Sequence, residues 1–257
     1  MTETEYLKTL TNRGLKLDLD QPVPGHVAGD PKREKRLEIF RKTIKKLVKP
    51  DGRVHPAWIR RDGGRILSAN PNIFILPYTW VEKGHLDVSV SSFEIVMAAR
   101  LRGEDELALK ILDDPEERPF ADILLELPRF SRFRTKEGRS SLKLAMYRLL
   151  YSALPESNSE REARDIILKL WSKLKPIPGD AADRKAWAKI HQGAVGGVTL
   201  AMAKAAEDVK GCRPVGFLPD MPLIEFIGSP EEEAQAVRDI KEITRSLIRC
   251  WDTSRLI

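Results

Sequence analysis

From Ser91 to the C-terminus the apolar residues return at the helical period in one segment after another, and this tract limits the fold more than any other feature. Helices are predicted over roughly 91–101, 104–112, 119–127, 140–153, 159–174, 181–209 and 230–251. Two of them have chemically explicit starts. Ser159-Glu160-Arg161-Glu162 reads as a capping box, and Ser229-Pro230-Glu231-Glu232 joins an N-cap serine, a proline in the first turn and a third-position carboxylate. In the helix over 181–209, Gly193, Gly197, Ala201 and Ala205 lie at successive i,i+4 positions. Each glycine costs about 0.5–1 kcal/mol of helix stability relative to alanine, and close approach of another helix is the compensation expected. That helix can belong to this chain or to a second copy.

The N-terminal third reads differently. Residues 1–29 look like an arm, with a short helix near Tyr6 to Leu10, an alternation at Leu15, Leu17 and Leu19, and a break at "QPVPGHVAGD". Asp30 is a good N-cap with Pro31 after it, and Leu37, Phe40, Ile44, Leu47 and Val48 then form one apolar stripe that ends before Pro50-Asp51-Gly52. The segments "RILS", "NIFILPYTW" and "LDVSV" alternate with turn residues and predict a small antiparallel sheet over 65–90. The expectation is a mainly α fold, a helical bundle with room for two lobes, and a small antiparallel β element around residues 65–90. Its divisions would be an arm (1–29), a basic helix with a small sheet (30–90) and a helical domain (91–257).

Charge is the strongest functional signal. "KREKRLEIFRKTIKKLVK", residues 32–49, holds nine Lys or Arg against Glu34 and Glu38. Extending to residue 65 gives thirteen cations against four acids, a net +9 where the whole chain carries +6, so the remainder is net acidic. Two glutamates cannot compensate nine cations by i,i+4 pairing, and the stripe Arg41, Lys45, Lys49 repels itself unless an anion lies near. Arg33, Lys35, Arg41, Lys42, Lys45, Lys46 and Lys49 are the candidate phosphate contacts, extended by Arg60 and Arg61. A second basic stretch, "RFSRFRTKEGR" at 129–139, interleaves Arg129, Arg132 and Arg134 with Phe130 and Phe133. With Gly138 it reads as an exposed loop whose rings either stack on unpaired bases or fold inward as anchors. In the helix over 230–251, Arg245 and Arg249 suit the helix dipole without further function.

Enzyme signatures are lacking. "GAVGGV" has no Gly-Lys-Ser/Thr ending and sits within a helix, and His26, His55, His85 and His191 are isolated from one another. Asp87 and Glu94 do not form an Asp…Glu-x-Lys set. Cys212 and Cys250 lie far apart beside no metal-spaced partners, which predicts neither disulfide nor zinc. No cofactor, metal or catalytic residue is expected. The longest uncharged helical run, Ile190 to Ala203, is too short to span a bilayer, and no secretory signal opens the chain. The sequence therefore predicts an intracellular, soluble or peripheral, non-enzymatic protein of nucleocapsid type that binds RNA or single strands and self-associates. The alternatives are a matrix-type protein on anionic membrane, binding to an acidic protein, and an enzyme whose residues converge from distant segments.

Overall fold

Thr2 opens the first helix with a capping box: its hydroxyl accepts the Glu5 N–H, and the Glu5 carboxylate accepts the Thr2 N–H. The resulting α1 (Glu3–Arg13) turns at Gly14, whose φ of 70° is open to glycine, into β1 (Leu15–Lys16). In this computed structural model the described residues are 1–20, 29–60, 66–68, 85–151, 153–175, 181–218 and 221–251. Next come α2 (Pro31–Lys45), β2 (Arg53–Val54), β3 (Trp58–Arg60) and β4 (Ile66–Ser68). They are followed by α3 (Phe93–Leu101), α4 (Asp105–Leu112), α5 (Phe120–Leu125), a 3-10 turn (Pro128–Phe133), α6 (Lys136–Leu150) and α7 (Asn158–Leu170). A second 3-10 turn (Ser172–Leu174) and α8 (Ala181–Ala206) lead to β5 (Cys212–Phe217), β6 (Pro222–Phe226) and α9 (Pro230–Arg249). The fold is mainly α with small antiparallel strand pairs. None of the described helices is long and apolar enough to cross a membrane.

The chain divides into two units, one of residues 1–88 with 196–244 and one of residues 89–195 with 245–257. In the first, Tyr6, Leu7, Leu10 and Leu15 are buried with Leu37, Ile44, Val54, Trp58, Ile66, Leu200, Val215, Phe217 and Leu223 in one core. The stretch that reads as an arm thus contributes side chains to that core. Strand pairing is β1 with β2, β3 with β4 and β5 with β6, all antiparallel. Trp58 meets Phe217 edge to face at 5.5 Å. Tyr6 donates its hydroxyl to Glu207 at 3.0 Å, and burial together with that carboxylate raises the phenol above its ordinary range.

Several predicted elements shift. "RILS" pairs through Ile66–Ser68 with Trp58–Arg60, upstream of it. Its expected partner "NIFILPYTW" and the "ANPN" turn lie outside the described residues. Leu86 and Val88 are fully buried as the alternation requires, and the Leu86 N–H bonds the Ile224 carbonyl at 2.9 Å, next to a bridge between His85 and Glu225. The hairpin β5–β6 falls inside the tract read as helical to the end. Prolines and Gly216 disguise it: Pro222 is the first residue of its strand, and the register slips between Pro214 and Gly216. Among helix starts, Ser229 and Glu232 form the reciprocal cap expected for α9. The cap of α7 is Ser157, two residues before the serine expected, because Glu160 is its third helical residue and reaches back to the Glu156 N–H.

Candidate functional site

The basic helix is built as its sequence dictates. Asp30 accepts the Lys32 N–H at 3.1 Å, Pro31 opens α2, and Leu37 and Ile44 fix one side in the core of the first unit. Lys35, Lys42, Lys45, Lys46 and Lys49 are exposed, the last two just beyond the helix, and Arg41 is half-buried. Lys42 pairs with Glu38 and Lys45 with Asp20, each at 2.8 Å, and both carboxyls are held below their usual range by these lysines. Exposed pairs of this sort contribute about 0–1 kcal/mol. Lys35, Lys46 and Lys49 make no ion pair with another described residue. Arg60 is exposed and engages Glu3. The Arg33 side chain and Arg61 lie outside the described residues.

The second basic stretch is structured rather than a loop. Residues 128–133 form a 3-10 turn, and Thr135 caps α6 by accepting the Gly138 N–H at 3.1 Å. A Cβ on Gly138 would lie 2.7 Å from the Phe133 Cα, so the glycine serves close backbone approach inside a helix. Gly138→Ala is expected to lower stability by about 1–3 kcal/mol, measured by denaturant unfolding. Phe130 and Phe133 are 0% and 2% exposed, their centroids 6.3 Å apart. Their stacking on bases is corrected on that ground: of the two alternatives, the rings folded inward. Arg129, Arg132 and Arg134 remain at the surface, Arg132 over the Phe133 ring at 5.1 Å and 3.3 Å from Glu162.

Beyond its cap, α6 carries a stripe that the charge pattern alone does not single out. Arg139, Lys143, Tyr147 and Tyr151 recur every fourth residue, the last capping the helix. Each step drifts about 40° around the axis, so the four wind gradually along one side. Arg139 holds Asp122 of α5 through two bonds of 2.5 and 2.6 Å, Lys143 is exposed, and Tyr147 is half-buried with its ring edge-on to Phe120. At the far end the Tyr151 hydroxyl lies 3.5 Å from Glu94 Oε2 on α3.

Two further side chains close this end of α6. Trp187 on α8 donates its indole N–H to the Leu150 carbonyl at 3.0 Å. Arg102, the C-cap of α3, stacks on Trp187 at 4.7 Å and donates to the carbonyls of Leu149, Leu150, Leu174 and Lys175. Burial pulls the guanidinium down to about 10, still charged at neutral pH. The spacing of Arg139, Lys143, Tyr147 and Tyr151 was legible as an i,i+4 series. Glu94, Arg102 and Trp187 join it only through the fold.

Elsewhere the described histidines and glycines singled out in the sequence have structural places, and His26 lies outside the described residues. His55 bonds Thr11 O and Asp51, and His85 sits near Glu225, which Arg53 engages at 2.5 Å. Gly193 is buried, and Gly197, Ala201 and Ala205 are partly exposed on an unbroken α8. Cys212 is a free thiol that burial pushes up to about 11.

The sequence matches no protein-family model and no curated protein. Among solved structures the fold is similar to the POL domain of Pol1 from M. smegmatis, in complex with DNA primer-template and dNTP. The likeness has a TM-score of 0.57 at 15% identity and covers 83% of this chain. This chain spans about half, 49%, of that one. The finding corrects the expectation of a non-enzymatic structural protein of nucleocapsid type: the shared fold is that of a polymerase domain. Sequence pattern could not reveal this, because 15% identity leaves the backbone course similar while most side chains differ.

Proposed function

We propose that the chain is a DNA- and nucleotide-binding enzyme of polymerase type, extending a primer on a template by nucleotidyl transfer from a dNTP. The observation that carries this reading is the α6 stripe within a polymerase-like fold. Lys143 offers phosphate oxygens an ammonium that pairs with no other described residue, and Arg139 can share its fork between Asp122 and the same anion. Tyr147 and Tyr151, one and two turns on, present aromatic rings where a base can stack, and Glu94 stands behind the Tyr151 hydroxyl. Cations followed by rings along about 18 Å of helix suit a nucleoside triphosphate.

The exposed cations of α2 and the residues just after it (Lys35, Lys42, Lys45, Lys46 and Lys49) and of the segment before α6 (Arg129, Arg132 and Arg134) are the proposed contacts to the nucleic-acid backbone, which they would bind without reading sequence. Transfer of this kind uses divalent cations. Among the described residues no three Asp, Glu, His or Cys side chains converge as ligands, so the roles assigned here are binding roles.

The test is extension of a labelled DNA primer-template with four dNTPs and Mg²⁺, with an RNA template as comparison. Extension is expected, together with dNTP-dependent tightening on the primer-template. Absence of both overturns the reading. Lys143→Ala is expected to weaken dNTP binding about tenfold, read by titration of a fluorescent dNTP, with an unchanged melting temperature because the side chain is exposed.

A further inference from the structure

His191 is 1% exposed on α8, one turn after Trp187, and its Nε2 lies 2.9 Å from the Glu94 carbonyl oxygen. A carbonyl only accepts, so Nε2 carries the proton and Nδ1 is left with a bare lone pair. That nitrogen is buried with no hydrogen-bond partner among the described residues. Burial lowers the imidazole from its ordinary range, which keeps the ring neutral. The ring also stands edge-on to Tyr151, centroids 5.8 Å apart at 73°. An apolar side chain of similar volume would fill this place without stranding an acceptor. A buried orphan acceptor is costly, and the fold gains in exchange a donor fixed against the backbone of Glu94 and an edge-to-face ring contact with Tyr151.

We propose that His191 is a positioning residue: it holds the Glu94 backbone and the Tyr151 ring together, and so sets the separation of the Tyr151 hydroxyl from the Glu94 carboxylate at the nucleotide-facing end of α6. The inference rests on the reading that this end of α6 meets the nucleotide. Trp187 and Arg102 fix the α6 carbonyls just before Tyr151, but His191 touches both members of the pair. Removing its donor releases the Glu94 backbone beside Tyr151 without removing either functional side chain, while Arg102 still ties the end of α3 to α6.

The experiment compares His191→Phe, which keeps an edge-on ring and loses the donor, with His191→Gln, which keeps an amide donor. Tyrosine labelled with ¹³C at Cζ reports the hydroxyl environment, and the Tyr151 resonance is assigned through Tyr151→Phe. In His191→Phe the Tyr151 resonance is expected to move, and KM for dNTP to rise about tenfold with kcat changed less than about twofold. His191→Gln is expected to restore both. A Tyr151 resonance unmoved in folded His191→Phe overturns the proposal, as does a shift that His191→Gln leaves uncorrected. If His191→Phe does not fold, His191→Met fills the space with an adaptable side chain and takes its place in the same comparison. Wild-type protein without primer extension or dNTP binding overturns the polymerase reading instead, and the Tyr151 resonance then still decides whether His191 places the ring.

Discussion

Phe130→Ala is expected to destabilise the protein by about 3–5 kcal/mol, the cost of deleting a buried ring and leaving its cavity. Phe130 has no exposed surface and packs beside Phe133 under the turn that leads into α6. At roughly 2–4 °C per kcal/mol for chains of this size, the melting temperature falls by about 10 °C, read by circular dichroism or calorimetry. A surface ring waiting for a base would give less than about 0.5 kcal/mol. The measurement therefore separates the two readings of "RFSRFRTKEGR" directly. The loss would also reach the proposed nucleotide site, since the backbone of Phe133 is what Gly138 approaches at the start of α6.

Helix starts were the most legible part of this sequence because capping is local chemistry. Asp30-Pro31 and Ser229-Pro230-Glu231-Glu232 act where they stand, and α2 and α9 begin at them. The β5–β6 hairpin was illegible for the converse reason. Its strands carry Pro214, Gly216 and Pro222, breakers by propensity, and they form because Val215, Phe217, Leu223 and Ile224 find a core made by distant segments. The tract at 129–139 misled by composition. Five cations and a glycine resemble a loop, yet two phenylalanines carry enough apolar surface to turn the segment inward, and the glycine is a packing residue. For the candidate site the limit was sequence separation. Residues 94, 102, 151, 187 and 191 meet through three helices, and no spacing rule joins them. His191 read alone is an ordinary core histidine, and only its bond to Glu94 and its contact with Tyr151 give it a task.

Replacing Lys35, Lys46 and Lys49 together by Gln is expected to weaken binding to primer-template DNA by about 10²–10³-fold at 0.1 M salt. Each phosphate contact contributes about 0.9 to the slope of log K against log salt, so three lost contacts lower that slope by nearly three and the affinity by a corresponding number of decades. Fluorescence anisotropy of labelled primer-template across a salt series measures both. Glutamine removes charge without introducing repulsion, which makes the slope interpretable as a count. The melting temperature should hold within a degree or two, because all three side chains are exposed and none pairs with another described residue. An unchanged slope with the fold intact would leave these lysines as a solvated face and place the nucleic-acid contacts elsewhere, with the arginines before α6 next to be tested. A reduced slope joined to unchanged dNTP binding would separate the two roles: α2 holds the strand by its backbone, and the α6 stripe meets the nucleotide.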